Sequence, residues 1–484
     1  MITIETKKRK SGVLMHISSL PGEYSIGSFG KEAKQFVDFL SDCGFSMWQV
    51  LPFCLVDECN SPYKSYSAFG GNPYFVDLPT LFDQGLLTKE ELDSCRQQTP
   101  YSAEYVRLYH TRTAVLMNAA KRVDTALKEK VESFIKENVY IEQFCRFMAL
   151  KKANNEKPWT DWETEEIDED VLFMWKFIQY QFFIQWAEIK EYANSKGIQI
   201  IGDIPIYVSF DSCDVWANKE QFLLDKDNVP SCVAGVPPDY FAEEGQLWGN
   251  PIYDWKKMQA DGFSWWRARL SHNLTMFDAV RIDHFRGIES YWSVDGNATT
   301  AKNGKWVKGP GEAFVDMAKE IAGEKLIIAE DLGDITKEVI DLVEYSGFPG
   351  MRVFQFGFLS DNDNPHQPHN YTDNCIAYTG THDNNTLLGY VWELSDDARR
   401  GMLEYCGYTS PDWNNGYQSI IQTIFASHAD TVILPIQDLL GYGSDTRLNI
   451  PGKADGNWQY RVTADQLNSI DKKRWKRLNY LYRR

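Results

Sequence analysis

The sequence predicts an α/β fold: a (β/α)8 TIM barrel with a large, mostly helical insertion after strand 2 and long loops over the C-terminal face. Three observations carry that expectation. Short apolar runs recur at 12–20, 45–52, 197–207, 277–285, 325–333, 351–358, 374–382 and 431–438. Apolar residues at helical spacing separate most of them, the alternation that builds a parallel sheet. Several of the runs end in a carboxylate, and barrel strands present their chemistry at their C-terminal ends.

Taken in order, the first run turns at Pro21-Gly22. Residues 31–43 place Ala33, Phe36, Val37 and Leu40 on one helical face, and Gly44 closes the helix. After the run at 45–52 the rhythm stops. A Ser-, Pro-, Tyr- and Gly-rich stretch at 60–73 precedes long helical patterns at 106–151 and 171–192. The expected organisation is barrel strands 1–2 in 1–53, an inserted helical subdomain with its loop in 54–195, and the remainder of the barrel in 196–484, with a long loop region at 209–276. The run at 197–207 is nearly continuous in apolar residues, as in a strand buried on both faces. His366 and His369 lie in a Pro/Asn-rich loop and read as solvated. The tail from Ser469 interleaves Lys472, Lys473, Arg474, Lys476 and Arg477 with Trp475, Leu478 and Tyr482, the pattern of a docked helix.

A net charge of −18 over 484 residues argues against nucleic acid or an anionic membrane as partner and suits a neutral substrate. Aromatics make up 14%, with 16 Trp and 25 Tyr, which fits core filling and also stacking platforms for flat sugar faces. Nine scattered cysteines form no disulfide framework, and Cys54 and Cys59 lack the second pair a zinc site needs. The first ten residues carry no apolar core of signal length, and no run approaches membrane-spanning length, so a cytoplasmic location is expected. With no calcium-loop acidic cluster and no dinucleotide-binding glycine motif, no cofactor or metal is expected.

The stretch 277–287 concentrates the chemistry. Val280, Ile282 and Phe285 frame a strand that also carries Asp278, Arg281, Asp283, His284 and Arg286. Arg281 and Asp283, two apart, share a face, so the guanidinium can hold the carboxylate ionised and aimed, as a nucleophile requires. A structural Arg–Asp pair is the other reading. Strand ends also present Asp203, Glu330 with Asp331, Asp383 and Asp438. Glu330 follows a wholly apolar run, where desolvation raises a carboxyl toward general-acid range, while polar neighbours keep Asp383 ionised. A charged and a protonated carboxyl facing one cleft are what glycosidic-bond chemistry uses.

Arg281-x-Asp283-His284, Ala329-Glu330-Asp331 and His382-Asp383-Asn384 resemble the catalytic strand ends of the α-amylase clan. More narrowly, the chain resembles the 4-α-glucanotransferases called amylomaltases or disproportionating enzymes, over nearly its full length. The specific marks are His16-Ile-Ser-Ser-Leu-Pro21, Ser61-Pro-Tyr63 with Ser67-Ala-Phe-Gly-Gly-Asn-Pro73, Gly202-Asp-Ile-Pro205, Gly235-Val-Pro-Pro-Asp239, Gly245-Gln-Leu-Trp-Gly-Asn-Pro251, and Arg447-Leu-Asn-Ile-Pro-Gly452 with Asn457-Trp458. The resemblance implies Asp283 as nucleophile, Glu330 as acid/base and Asp383 as transition-state stabiliser. It implies sugar binding by Arg281, His284, His382, Tyr63, Ser61, Asp203, Gln246, Trp248, Asp239 and Asn250, with Tyr63 and Ser61 on the acceptor side. Gln246 and Trp248 match a loop that arches over the cleft, and 235–255 reads as a lid. The order of residues after Asn457 departs from the family pattern, a change expected to touch a marker and not the chemistry.

The implied activity is retaining transfer of α-1,4-glucan segments between maltooligosaccharides, with these glucans as partners and a monomer or weak homo-oligomer as the working form. A retaining α-glucan hydrolase and a catalytically inactive glucan-binding protein are the alternatives. The presence of all the carboxylates disfavours the last.

Overall fold

The structure is a computed structural model and describes residues 9–56, 59–238, 243–359, 363–453 and 455–484. Eight parallel strands form the barrel sheet, in the order β10-β11-β12-β1-β2-β3-β6-β9. They are β1 (Lys10–Leu14), β2 (Met47–Gln49), β3 (Gln199–Ile204), β6 (Ala279–Ile282), β9 (Leu326–Ala329), β10 (Gly350–Val353), β11 (Cys375–Tyr378) and β12 (Thr431–Pro435). The intervening numbers belong to a second, four-stranded antiparallel sheet, ordered β5-β4-β7-β8: β4 (Cys232–Val236), β5 (Gln246–Pro251), β7 (Ser290–Asp295) and β8 (Lys305–Lys308).

Each barrel strand overlaps its predicted run but is shorter, and β1 and β10 begin before theirs, at Lys10 and Gly350. The runs continue past the ladder because their last residues turn over the barrel mouth, where side chains take over the backbone hydrogen bonds. The 3-10 turn Ile17–Ser19 and the helix Ile436–Leu440 replace the expected ends of the first and last runs. The seam between β9 and β10 is closed by the Ala329 N–H donating to the Pro349 carbonyl at 3.0 Å and the Met351 N–H donating to the Asp331 carboxylate at 2.6 Å.

Inside the barrel, Leu14, Met47, Ile201, Ala279, Ile328, Met351, Ile376 and Ile433 form a separate apolar core. The outer faces of the strands share a second core with the helices. The helix Lys31–Cys43 buries Ala33, Phe36, Val37 and Leu40, and Gly44 ends it at φ 79°, a conformation that favours glycine. Helices Tyr105–Lys121, Thr125–Glu137, Val139–Ala153 and Glu169–Ser195 lie between β2 and β3 in sequence. Phe182 and Trp186 of the last of these meet Phe29 and Phe53 beside the barrel, at ring distances of 5.0 and 4.6 Å. The basic tail forms the helix Lys472–Tyr482, with Trp475 and Leu478 buried and the Asn479 amide donating to the Cys43 carbonyl at 3.0 Å.

Two expectations are corrected. The region 209–276 is not a long loop: it holds the helices Cys213–Ala217, Trp255–Ala260 and Ser264–Met276 and the strands β4 and β5. Its helices are short, and aromatic residues blur their periodicity. His366 is half-buried, not solvated, and its Nδ1 accepts the Val353 N–H at 3.2 Å. Among the described residues no helix is long and apolar enough to cross a membrane.

Gly202 sits in β3 under the Phe277 ring, and a Cβ there would lie 2.1 Å from that ring. Trp186 and Phe53 back the ring at 5.7 and 5.2 Å, so it has nowhere to retreat. Gly202→Ala is therefore expected to destabilise the fold by about 1–3 kcal/mol, the usual cost of overpacking, measured by urea unfolding. An unchanged midpoint would show that the ring yields.

Candidate active site

The candidate residues stand at the mouth of the barrel: Asp203 and Arg281 face each other in the last rungs of the β3–β6 ladder, and Asp283, Glu330 and Asp383 lie beyond β6, β9 and β11. Arg281 anchors them. Its side chain is 5% exposed and lies between two carboxylates. One terminal nitrogen donates to both oxygens of Asp203 at 2.8 and 2.7 Å, and the other donates to Asp283 at 2.8 Å. The Tyr63 hydroxyl also donates to Asp203, at 2.7 Å. Asp203, expected among the sugar-binding residues, has no exposed side-chain surface, and Arg281 and Tyr63 occupy its oxygens, so in this structure it holds Arg281 in place. Asp283, 30% exposed, is the carboxylate that faces the cleft.

Glu330 lies directly beside it. In the pairing of β6 with β9, Ile282 is opposite Ala329, so Asp283 and Glu330 are the next residues on neighbouring strands. The His284 N–H donates to Glu330 at 2.7 Å, and the Leu332 N–H donates to its other oxygen at 3.0 Å. His284 adopts φ 52°, a left-handed turn that aims this N–H back toward β9. Burial raises the Glu330 carboxyl to about 8; Arg281 and the two backbone N–H groups oppose that rise without overcoming it.

Asp383 is built differently. Its carboxylate is 46% exposed, accepts from the Asn449 amide at 2.6 Å and lies 3.4 Å from His382 Nε2. Burial pushes its carboxyl up, but His382 and Asn449 outweigh that and hold it near 2. Desolvation opposes charge on His382, yet Asp383 raises its imidazole above the usual value. Arg447 fixes the Asp383 carbonyl at 2.6 Å. Glu330 is thus a carboxyl held neutral, and Asp383 one held ionised.

The cleft above them encloses about 480 Å³. Tyr63 stacks on His382 with ring centres 5.1 Å apart, and Trp458 tilts against both, at 6.0 and 5.8 Å. On the opposite wall Trp248 stands edge-on to His284 at 4.8 Å and 6.3 Å from Tyr207. Burial lowers the His284 imidazole to about 4, so it is neutral.

Ser61 and Asn250 also line the cleft. Ser61 accepts the Tyr63 N–H at 3.3 Å, and the Asn250 amide donates to the Val208 carbonyl at 2.9 Å. Gln246 is exposed and accepts the Trp248 indole N–H at 3.3 Å, steering that ring. Asp239, with Tyr240 and Phe241, lies outside the described residues. Two other strand-end carboxylates do structural work: Asp331 closes the β9–β10 seam, and Asp438 accepts from Thr379 and the Leu387 N–H at 2.5 and 2.7 Å.

Residue-by-residue reading missed Asn449, Arg447 and Trp458. The stretches that hold them stood out only as family marks, and the segment after Asn457 was set outside the chemistry. The structure brings Trp458 into the aromatic wall, in a left-handed conformation at φ 65°. Among the described residues no cluster of three or more His, Cys, Asp or Glu could hold a metal ion.

Eight parallel strands with these carboxylates at their C-terminal rim define a (β/α)8-barrel enzyme. The family model described as 4-alpha-glucanotransferase matches residues 15–467, and the chain belongs to that family. The 4-alpha-glucanotransferase of Streptococcus pneumoniae serotype 4 is 43% identical, covering 99% of this chain and 98% of its own. The chloroplastic/amyloplastic 4-alpha-glucanotransferase of Solanum tuberosum is 39% identical, covering 96% and 85%. Among solved structures, the amylomaltase of Streptococcus agalactiae in complex with acarbose matches with a TM-score of 0.94 at 39% identity, over 99% of this chain and 100% of that one.

The raised Glu330 carboxyl has a consequence for stability. The folded state binds this proton more tightly than an unfolded chain, whose glutamate titrates near 4.5. Stability from this group is complete below that value and is lost as pH rises toward about 8. The stability of the wild type relative to Glu330→Gln should therefore fall across this window, followed by urea unfolding at a series of pH values. A flat difference would mean that the carboxyl titrates normally.

Proposed function

We propose that the chain is a retaining 4-α-glucanotransferase that moves α-1,4-glucan segments between maltooligosaccharides or linear glucans through a glycosyl ester on Asp283. The observation that carries this reading is the pairing of Asp283, aimed by Arg281, with Glu330, held protonated on the adjacent strand end. Retention requires the two carboxyls roughly 5–5.5 Å apart, with no water between them. Consecutive positions past a shared register, joined through the His284 N–H, fit that requirement.

In the first step an Asp283 oxygen attacks the anomeric carbon while Glu330 passes its proton to the glycosidic oxygen. An ester forms, the glycosidic C–O bond breaks, and the chain beyond it leaves as an alcohol. Asp383, ionised by His382 and Asn449, offers negative charge to the oxocarbenium-like transition state. In the second step Glu330, now a carboxylate, takes the proton of an incoming sugar hydroxyl, which attacks the same carbon and releases Asp283. Two inversions restore the α configuration. The aromatic walls of Tyr63, Trp458 and Trp248 favour a sugar over water as the acceptor.

Asp283→Asn should abolish turnover with the fold intact, since an amide cannot form the ester; activity within about tenfold of wild type would remove the nucleophile assignment. Glu330→Gln should lose natural donors yet still trap an adduct on Asp283 from a glycosyl fluoride, whose leaving group needs little protonation. Mass spectrometry of the intact protein reads that adduct, and its absence would give Glu330 another role.

With maltotriose the wild type should yield glucose and a ladder of longer oligomers while total reducing ends barely rise. Activity should decline as pH rises through about 8, as Glu330 loses its proton. Reducing ends that grow in step with substrate loss would replace this reading with hydrolysis.

A further inference from the structure

Trp248 of the predicted lid lies on β5, one edge of the four-stranded sheet, and β8 at the opposite edge touches Arg286, just beyond the turn that carries the nucleophile. Resting on the transfer reading above, we propose that Trp306 is a positioning residue. By clamping the sheet to the turn after Asp283, it fixes Trp248 against His284 and so governs how firmly the cleft holds sugar.

Trp306 lies on β8, and the Arg286 guanidinium sits 3.9 Å from its ring centre. Arg286 is 5% exposed; one nitrogen donates to the Asp334 carbonyl, and Nε is buried with no hydrogen-bond partner among the described residues. The Asp334 carboxylate reaches the guanidinium only at 3.9 Å from a largely exposed side chain, so the indole face is a main part of what stabilises this buried cation. Two further bonds seat β8 on the short helix Arg286–Glu289 that follows this turn: the Gly309 N–H donates to the Glu289 carbonyl at 2.8 Å, and Lys308 pairs with the Glu289 carboxylate.

The sheet carries this seating to the cleft as a stiff plate. One transverse row of paired residues runs Trp306–Trp292 between β8 and β7, Trp292–Gly235 between β7 and β4, and Gly235–Leu247 between β4 and β5. Leu247 is the neighbour of Trp248. The Trp306 and Trp292 rings meet edge-on at 5.2 Å, and the Trp292 indole N–H donates to the Ala301 carbonyl at 2.8 Å. Where the row crosses Gly235, a Cβ would lie 2.5 Å from the Gln246 carbonyl oxygen, so β4 and β5 are locked at close approach. Val233, Val294 and Ala301 give the plate a small core of its own, with Leu247 and Trp292 packed against it. The sheet thus straddles the turn beyond Asp283, with Trp248 on His284 at one edge and Trp306 on Arg286 at the other. Trp306 is itself 39% exposed and does not line the cleft, so it acts on sugar only through this chain of contacts.

The test uses binding and partition together. In the inactive Asp283→Asn protein, adding Trp306→Ala should weaken maltotriose binding roughly three- to tenfold, the scale of one cation–π contact, while Trp306→Phe should stay within about twofold. In the active enzyme Trp306→Ala should lower the ratio of transfer to hydrolysis on maltotriose. Its rate of fluoride release at saturating α-maltosyl fluoride should remain within about twofold, because the groups that break the bond are untouched. Thermal melting confirms that each variant is folded. Unchanged maltotriose affinity in a folded Trp306→Ala protein would overturn the proposal, and so would a Trp306→Phe protein as defective as the alanine variant. A wild type that only hydrolyses maltotriose would instead overturn the transfer reading, and the binding measurement would still decide the role of Trp306.

Discussion

A single buried cation organises the barrel mouth. Arg281 is withdrawn from water, a cost of several kcal/mol for an unpaired charge, and two carboxylates on neighbouring strands compensate it. Asp203 takes most of that duty with both oxygens, and Tyr63 supplies the further donor. Asp283 is left with one oxygen toward Arg281 and the rest of its carboxylate toward the cleft. The guanidinium is planar and forked, so it sets the direction of Asp283 as well as its charge; a lysine ammonium in its place would do only the second. Tyr63 in turn stacks on His382, which borders Asp383. Asp283 and Asp383 are thereby linked through one set of contacts that begins at Arg281.

Much of this was legible in the sequence because it rests on local rules. The eight strands announce themselves as apolar runs, and Asp283 and Glu330 directly follow the last ladder residues of β6 and β9. That the environments of Glu330 and Asp383 push in opposite directions also follows from neighbours in sequence: Ile327, Ile328 and Ala329 before the first, His382 and Asn384 beside the second. The supporting role of Asp203 was not legible. Both end apolar strands, and only the three-dimensional position of Arg281 decides which carboxylate is consumed as a support.

The four-stranded sheet was hidden for a different reason. Its strands come from two separated segments, 232–251 and 290–308, and β4 pairs with both β5 and β7 across that gap. Long-range antiparallel pairing leaves only weak alternation in each segment, and glycines at 235, 245 and 249 read as loop when they in fact permit tight strand approach and turning. Trp458 was invisible in the same way. An indole in a left-handed conformation breaks no sequence pattern, and its value lies in the contact it makes with rings from two other parts of the chain.

The β9–β10 seam bears on how the molecule breathes. Every other junction in the barrel is a ladder of paired residues, whereas this one depends on one backbone bond, a carboxylate and the Asp331–Arg352 ion pair at 3.0 Å. Hydrogen exchange should therefore enter the barrel here, through small openings that leave the β12–β1–β2 arc protected. Glu330 thus stands on a stave that is laddered on one side only, while Asp283 is tied through Arg281 to Asp203 on β3.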